Sequence, residues 1–277
     1  MRLFPILLIG LTKTLAFSFD ESIAYRNLQI TAATYCDFTE WSIQDVELIN
    51  YIRDETNSIL VAFDKVQNAT VFAFRGSSDI ENWISNFEFT QISPYTDKEI
   101  KVHKGLYEEY LKYKDWLFDH LPKTGNVVMT GHSSGGALAM FFASGNLRFP
   151  EPLPSSALTP TVSAQEPSNN ILPSLIVYTF GKPRIGNQKF VDYITSLGIQ
   201  HYRITHDRDI VPHLPEEFIL NYRHTNTEIW YPDDGNTYII CEQNEDDTCS
   251  NNCAPLQCVS TSDHLYYMQT HIGSGAC

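Results

Sequence analysis

"VVMTGHSSGGALA", Val127–Ala139, is the stretch that decides how this chain folds. The apolar, β-branched run "NVVMT" (Asn126–Thr130) ends at a glycine, and "ALAMFFA" (Ala137–Ala143) follows as an alanine-rich apolar segment. The first has the composition of a buried parallel strand, the second that of a buried helix. Between them stands a Gly-x-Ser-x-Gly pattern. Strand, sharp turn and helix are what a nucleophile elbow requires, with Gly131 and Gly135 where the two backbones crowd together. Ser133 then sits on strained backbone that pushes its hydroxyl outward. In this register Ser133 is the nucleophile. Ser134, at the helix start, offers its backbone N–H to an oxyanion. A glycine-rich strand–helix turn without chemistry is the competing reading, and the surrounding sequence has to decide.

A serine hydroxyl needs an adjacent base, and the base needs a carboxylate to fix its tautomer. "YRITHDRDIVPHLP" (Tyr202–Pro215) places Asp207 and Asp209 in a loop at a strand's C-terminal end, where open α/β sheets bind ligands. "TSDHLYYM" (Thr261–Met268) then puts His264 at the start of an expected C-terminal helix. The order Ser, Asp, His is the one found on α/β-hydrolase sheets. The remaining histidines, His132 included, have no such context.

An amphipathic segment lies upstream. In "FRGSSDIENWISNFEF" (Phe74–Phe89), Ile80, Trp83, Ile84 and Phe87 recur at i, i+3, i+4 and i+7. Ser78 and Glu81 make a capping box at its start. An ordinary surface helix would read the same way. A short helix directly after a Gly-Ser turn is also how a mobile lid is built.

The chain of 277 residues, 43% hydrophobic, is long enough for one large α/β domain. A net charge of −14 with no basic patch argues against nucleic acid as a partner. "MRLFPILLIGLTKTLAFS" has a basic Arg2, an apolar core and small residues near Ser18, the pattern of a secretory signal peptide over residues 1–18. It is too short to span a bilayer, and no later segment is long and apolar enough. The mature chain, 19–277, is expected to be a secreted monomer.

Six cysteines agree with an oxidising compartment: Cys36, Cys241, Cys249, Cys253, Cys258 and Cys277. The cluster "CEQNEDDTCSNNCAPLQC" lacks a Cys-x-x-Cys pair, which favours disulfides over zinc. Asn68-Ala69-Thr70 is a glycosylation sequon just before a strand.

Short strands alternate with helical stretches. "SILVAF" and "TVFAFRG" flank a polar turn as a hairpin, "HKGLYEEYLKYKDWLFDHL" reads as a helix, and "SLIVYTFG" and "QHYRIT" are strands separated by the helical "NQKFVDYITSL". "TEIWY" and "TYIIC" are later short strands. The expected architecture is a mostly parallel central sheet with helices on both faces. The proline-rich Phe149–Pro173 segment is read as a surface insertion.

Taken in order, "FRGSSDIENWI", "VHKGLYEEY", "VVMTGHSSGGALA", "YTFGKPRIGN", "YRITHDRDIVPHLP", "DHLYYM" and the terminal cysteine resemble the secreted fungal class-three lipases over nearly the whole mature length. The resemblance implies an α/β-hydrolase fold, a Ser133–Asp209–His264 triad, and an oxyanion hole formed by Ser77 and Ser134. It prefers Asp209 to Asp207 because the family's acid precedes an apolar-Val-Pro step, here Ile210-Val211-Pro212. It implies a lid around Ile80–Phe87, a Cys36–Cys277 bridge, a Cys241–Cys249 bridge and, by remainder, Cys253–Cys258. No metal or organic cofactor is implied. The sequence departs from the family in carrying Ser134 where leucine is usual, in the long 149–173 segment and in the additional cysteine pair. The implied activity is hydrolysis of triacylglycerols at an oil–water interface. A phospholipase A1 or galactolipase, a feruloyl or acetyl esterase, and a non-catalytic secreted binding protein are the alternatives.

Overall fold

A computed structural model describes residues 18–37, 42–146, 174–225, 227–232, 236–241, 243–253 and 257–275. Residues 1–17 of the expected signal peptide, the 149–173 insertion and Cys277, hence the Cys36–Cys277 bridge, lie outside the described residues.

The chain begins with α1 (Glu21–Ala33), which the sequence reading did not identify. Asp20 caps it, its carboxylate accepting from the N–H groups of Ser22 and Ile23 at 2.9 and 3.2 Å. Three antiparallel strands follow: β1 (Val46–Arg53), also unanticipated, then β2 (Ser58–Asp64) and β3 (Ala69–Phe74). The last two form the expected hairpin. Asn68 sits exposed at positive φ (47°) in its turn, a surface position open to a glycan.

The short helix α2 (Ile80–Ser85) leads to α3 (Lys104–Asp119), which His103 caps by accepting from the Leu106 N–H. Then come β4 (Asn126–His132), α4 (Ser134–Asn146), β5 (Leu175–Phe180), α5 (Gln188–Ser196) and β6 (Gln200–His206). β7 (Glu228–Tyr231) and β8 (Ile239–Cys241) complete one sheet of eight strands, in spatial order β1 to β8. Strands β3 through β7 are mutually parallel, while the β1–β2, β2–β3 and β7–β8 pairings at the edges are antiparallel.

Because side chains alternate across a strand, the sheet feeds two cores. Ile59, Val61, Phe72, Phe74, Val127 and Met129 point to the face covered by α3, α4 and α5. Leu60, Ala62, Val71, Ala73, Val128 and Phe180 point to the face covered by α1 and the C-terminal Tyr267 and Ile272. α4 is apolar on every side, and its Ala137–Ala143 stretch is fully buried, as suits a helix packed between the sheet and other helices. No helix of the described residues is long and apolar enough to cross a membrane.

The C-terminal region departs from expectation. His264 lies on a single 3-10 turn, Asp263–Leu265, followed by a hairpin of Tyr266–Tyr267 with Thr270–His271, in place of a C-terminal helix. Met268 and Gln269 adopt positive φ (46° and 62°), which reverses the chain after one turn.

Candidate active site

Ser133 joins β4 to α4 with φ at 57°, a conformation costly for a side-chain-bearing residue. It is fixed there by its N–H donating to the Phe180 carbonyl at 2.9 Å and by the Gly136 N–H donating to the Ser133 carbonyl at 3.0 Å. Only glycine fits at position 135, since a Cβ there would lie 2.3 Å from the Phe74 carbonyl oxygen. Ser133 is buried, and its Oγ has no hydrogen-bond partner among the described residues.

Asp209 and His264 meet directly. His264 Nδ1 lies 2.8 and 3.0 Å from the two Asp209 oxygens, with both residues buried. The same carboxylate accepts from the Val211 N–H at 2.8 Å and from the Tyr267 hydroxyl. An acceptor so surrounded by donors requires the proton on His264 Nδ1, which leaves Nε2 as a lone-pair base. Nε2 is buried and, like Ser133 Oγ, makes no hydrogen bond to any described residue. His132, the residue before Ser133, brings the two ends of the site together: its Nε2 contacts the His264 carbonyl at 2.8 Å, and the two rings pack with centroids 4.5 Å apart.

The loop bearing Asp209 is pinned to the segment before His264. Ser260 N–H donates to the Arg208 carbonyl at 3.0 Å, and Ile210 N–H donates to the Ser260 carbonyl at 3.2 Å. Asp209 thus stands in register with Ser260. The two bridges just upstream, Cys241–Cys249 and Cys253–Cys258, shorten the connection into this segment. Their sulfurs also approach Glu228 and His213 closely enough to suggest metal sites, but disulfide sulfurs are not thiolate ligands.

Other histidines have structural partners. His201 bridges Thr179 and Thr225, His224 meets the Pro212 carbonyl, His206 meets the Asp263 carbonyl, and His120 meets Asn50.

Ser134 is buried at the first position of α4, where helix N–H groups lack internal partners. Ser77 is half-buried, one residue after Gly76. A Cβ on Gly76 would fall 2.6 Å from Ser133 Cβ, so this strap runs against the nucleophile. The following helix α2 is capped by Asp79, which accepts from the Asn82 N–H at 3.0 Å; the Ser78–Glu81 capping box does not form. Ile80, Trp83, Ile84 and Phe87 are half-buried, and Trp83 and Phe87 pack on the core. Phe87 stacks on His103 at 4.6 Å and 17°, with Trp83 4.2 Å from Phe87. Burial pushes His103 down to a pKa of about 4. A cavity of about 390 Å³ opens here between Ser77, Asn82, Trp83, Phe87, His103 and Glu109.

Tyr267 and Tyr35 were not anticipated as site residues. Tyr267 could have been suspected from its position three residues after His264. Nothing local marks Tyr35, which reaches the site only through the packing of α1.

Residues 71–219 match the family described as lipase (class 3). The chain is 32% identical over 267 residues to a lipase of Rhizomucor miehei, covering 92% of this chain and 67% of that protein. It is 33% identical over 176 residues to a secreted mono- and diacylglycerol lipase of Fusarium solani, covering 61% of this chain and 46% of the relative. It therefore spans two thirds or less of these curated relatives. A solved triacylglycerol lipase, whose catalytic centre is described as a serine protease triad, superposes with a TM-score of 0.75 at 28% identity over 94% of this chain and 98% of that one. A sheet of this order, carrying a Gly-x-Ser-x-Gly elbow at its centre, is the α/β-hydrolase arrangement, and by both sequence match and superposition the chain belongs to the class 3 lipase family.

Proposed function

We propose that this protein is a secreted serine ester hydrolase that cleaves triacylglycerols at an oil–water interface. The mature unit would be a single monomeric catalytic domain, 19–277, released from a signal peptide and open to glycosylation at Asn68. One observation carries the reading: among the described residues, the elbow presents a hydroxyl with no hydrogen-bond partner, and Asp209 fixes His264 so that its Nε2 is a base with none either.

Ser133 Oγ attacks the ester carbonyl while His264 Nε2 takes its proton. Asp209 holds the ring and stabilises the imidazolium. N–H groups of Ser77 and Ser134 receive the oxyanion, a contribution of about 3 kcal/mol per donor. The imidazolium then protonates the departing alcohol, and water, deprotonated by the same nitrogen, hydrolyses the acyl-enzyme. Ser133 Oγ and His264 Nε2 close to hydrogen-bonding distance when substrate enters, a tightening common in such sites. Ile80, Trp83, Ile84 and Phe87 form the apolar face that a lid would turn toward lipid. Mono- and diacylglycerols are the second reading, favoured by the polar Asn82, His103 and Glu109 in the cavity lining.

Hydrolysis of a short-chain triglyceride, followed across its solubility limit in wild type and Ser133→Ala, tests the proposal. A rate jump once droplets form, absent from the variant, is the expected result. Smooth saturation would remove the interfacial lid, and activity surviving in Ser133→Ala would remove the nucleophile. Running a diglyceride alongside separates the two substrate readings.

A further inference from the structure

We infer that Tyr35 and His132 act as positioning residues, a relay that fixes the oxyanion strap and the catalytic histidine relative to the elbow. This rests on the reading of Ser133, His264 and Ser77 given above.

The relay permits only one arrangement of protons. The His264 carbonyl accepts and cannot donate, so the 2.8 Å contact from His132 requires the proton on His132 Nε2. A neutral imidazole then has a lone pair at Nδ1, and the Tyr35 hydroxyl, 2.7 Å away, donates into it. With its proton so committed, the Tyr35 oxygen accepts the Gly76 N–H at 2.9 Å. The run is Gly76 N–H to Tyr35 O–H to His132 Nδ1, then His132 Nε2–H to the His264 carbonyl.

Both ends matter for catalysis. Gly76 immediately precedes Ser77, so anchoring its N–H orients the next peptide, whose N–H is aimed at the oxyanion. The other end holds the main chain of His264 while its ring gains and loses a proton. His132 itself is the residue before the nucleophile, which ties both ends to the elbow. Space allows little else: a Cβ at Gly76 would lie 2.7 Å from the Tyr35 oxygen. His132 is buried, and burial together with the neighbouring His264 holds its pKa well below the usual histidine range. It therefore stays neutral, keeps its fixed polarity, and adds no positive charge beside the His264 imidazolium.

Both residues act through the Gly76 N–H and the His264 carbonyl, so loss of the relay should appear in kcat and not in KM. The test uses Tyr35→Phe, His132→Phe and the double variant, with Ser133→Ala as control, on a water-soluble short-chain p-nitrophenyl ester. Tyr35→Phe keeps the ring and its packing and removes only the hydroxyl. Expected is a fall in kcat of about 10- to 100-fold for each single variant, the range that slight misplacement of catalytic groups produces, with KM within about twofold. The double variant should fall no more than about twofold below His132→Phe, because both act through one chain. A folded Tyr35→Phe with wild-type kcat would overturn the relay, as would multiplicative losses in the double variant. If His132→Phe does not fold, Tyr35→Phe still decides. Wild-type turnover by Ser133→Ala would overturn the nucleophile assignment itself. An inactive Ser133→Ala beside a fully active Tyr35→Phe would overturn the relay alone.

Discussion

The elbow and the proposed lid segment lie side by side yet are built in opposite ways. Every residue from Val127 to Ala143 is buried, and the turn between is fixed by backbone hydrogen bonds to β5 and within α4. Helix α2 has six residues, none buried, and leans on the core through Trp83 and the following Phe87. Local stability follows contact density, so α2 should open at little cost while the elbow opens only on global unfolding. The proposed function places chemistry on the rigid part and access on the loose part. Substitutions can break this contrast or sharpen it.

The largest effect should come from Asp209→Asn. The amide retains the shape but presents an N–H₂ where His264 Nδ1–H and Tyr267 O–H need acceptors, favouring the wrong His264 tautomer. Turnover of a soluble ester should fall by about 10⁴-fold with the fold intact, as for other triads of this logic. A loss of less than tenfold would mean that the rigid part is not the catalytic part. Gly135→Ala tests rigidity itself. Its methyl meets the Phe74 and Arg75 backbone at 2.3–2.7 Å, so strand β3 would have to yield. A cost of about 3 kcal/mol is expected, lowering Tm by roughly 10 °C. A thermal melt with unchanged Tm would show the elbow to be softer than its contacts imply.

Acid should act on the lid side. His103 lies under Phe87 with its pKa lowered to about 4. The unfolded chain, with a histidine pKa near 6.5, binds the proton first as pH falls. Stability from this site is complete above about pH 6.5, is lost progressively between pH 6.5 and 4, and levels off below. The loss reaches about 3 kcal/mol at pH 4. His213, also lowered to about 4 by burial, adds in the same window, so the measurement compares Tm against pH for wild type and His103→Gln. A variant whose slope equals the wild type's would exclude His103 as the source.

Tyr267→Phe is the milder probe of the rigid part. It removes one of three donors to Asp209 and leaves the ring packed. A hydrogen bond to a carboxylate contributes about 1.5 kcal/mol, so kcat should fall about tenfold with KM unchanged. An unchanged kcat would mean that the remaining two donors suffice.

Much of this contrast could be read from the sequence, for physical reasons. The run Asn126–Ala143, buried from Val127 on, carries its own composition and glycine spacing, so strand, turn and helix were legible together. The elbow at Ser133 and the Asp209–His264 contact were legible because each of these residues sits in a short motif at an element's end. What failed was non-local. Strand β1 was missed because its apolar Ile49 and Tyr51 are exposed, which blurs the alternation. α1 mixes Asn27 and Thr31 into its buried face, where hydrogen bonds to the Ile23 and Asn27 carbonyls satisfy them. The C-terminal helix was expected from the apolar run after His264, but positive φ at Met268 and Gln269 turns the chain back. The Ser78–Glu81 capping box lost to Asp79, one position on, which reaches the Asn82 N–H itself. Tyr35 could not be anticipated, since its role depends on His132, 97 residues away.

The gentlest substitution is aimed at the lid alone. Trp83→Ala removes a half-buried ring that packs on Phe87 and the core. Because the ring is only partly removed from water in the closed form, the loss of packing should be about 1 kcal/mol, shifting Tm by a few degrees at most. Turnover of a soluble ester should stay within about twofold, since the elbow and Asp209–His264 are untouched. Turnover of an emulsified triglyceride should fall about fivefold, because the same ring would be among those transferred to lipid when α2 swings out. Equal losses on both substrates would place Trp83 in catalysis and erase the division between a rigid site and a loose cover. No loss on the emulsion would leave α2 an ordinary surface helix, with its apolar stripe serving only the core it already touches.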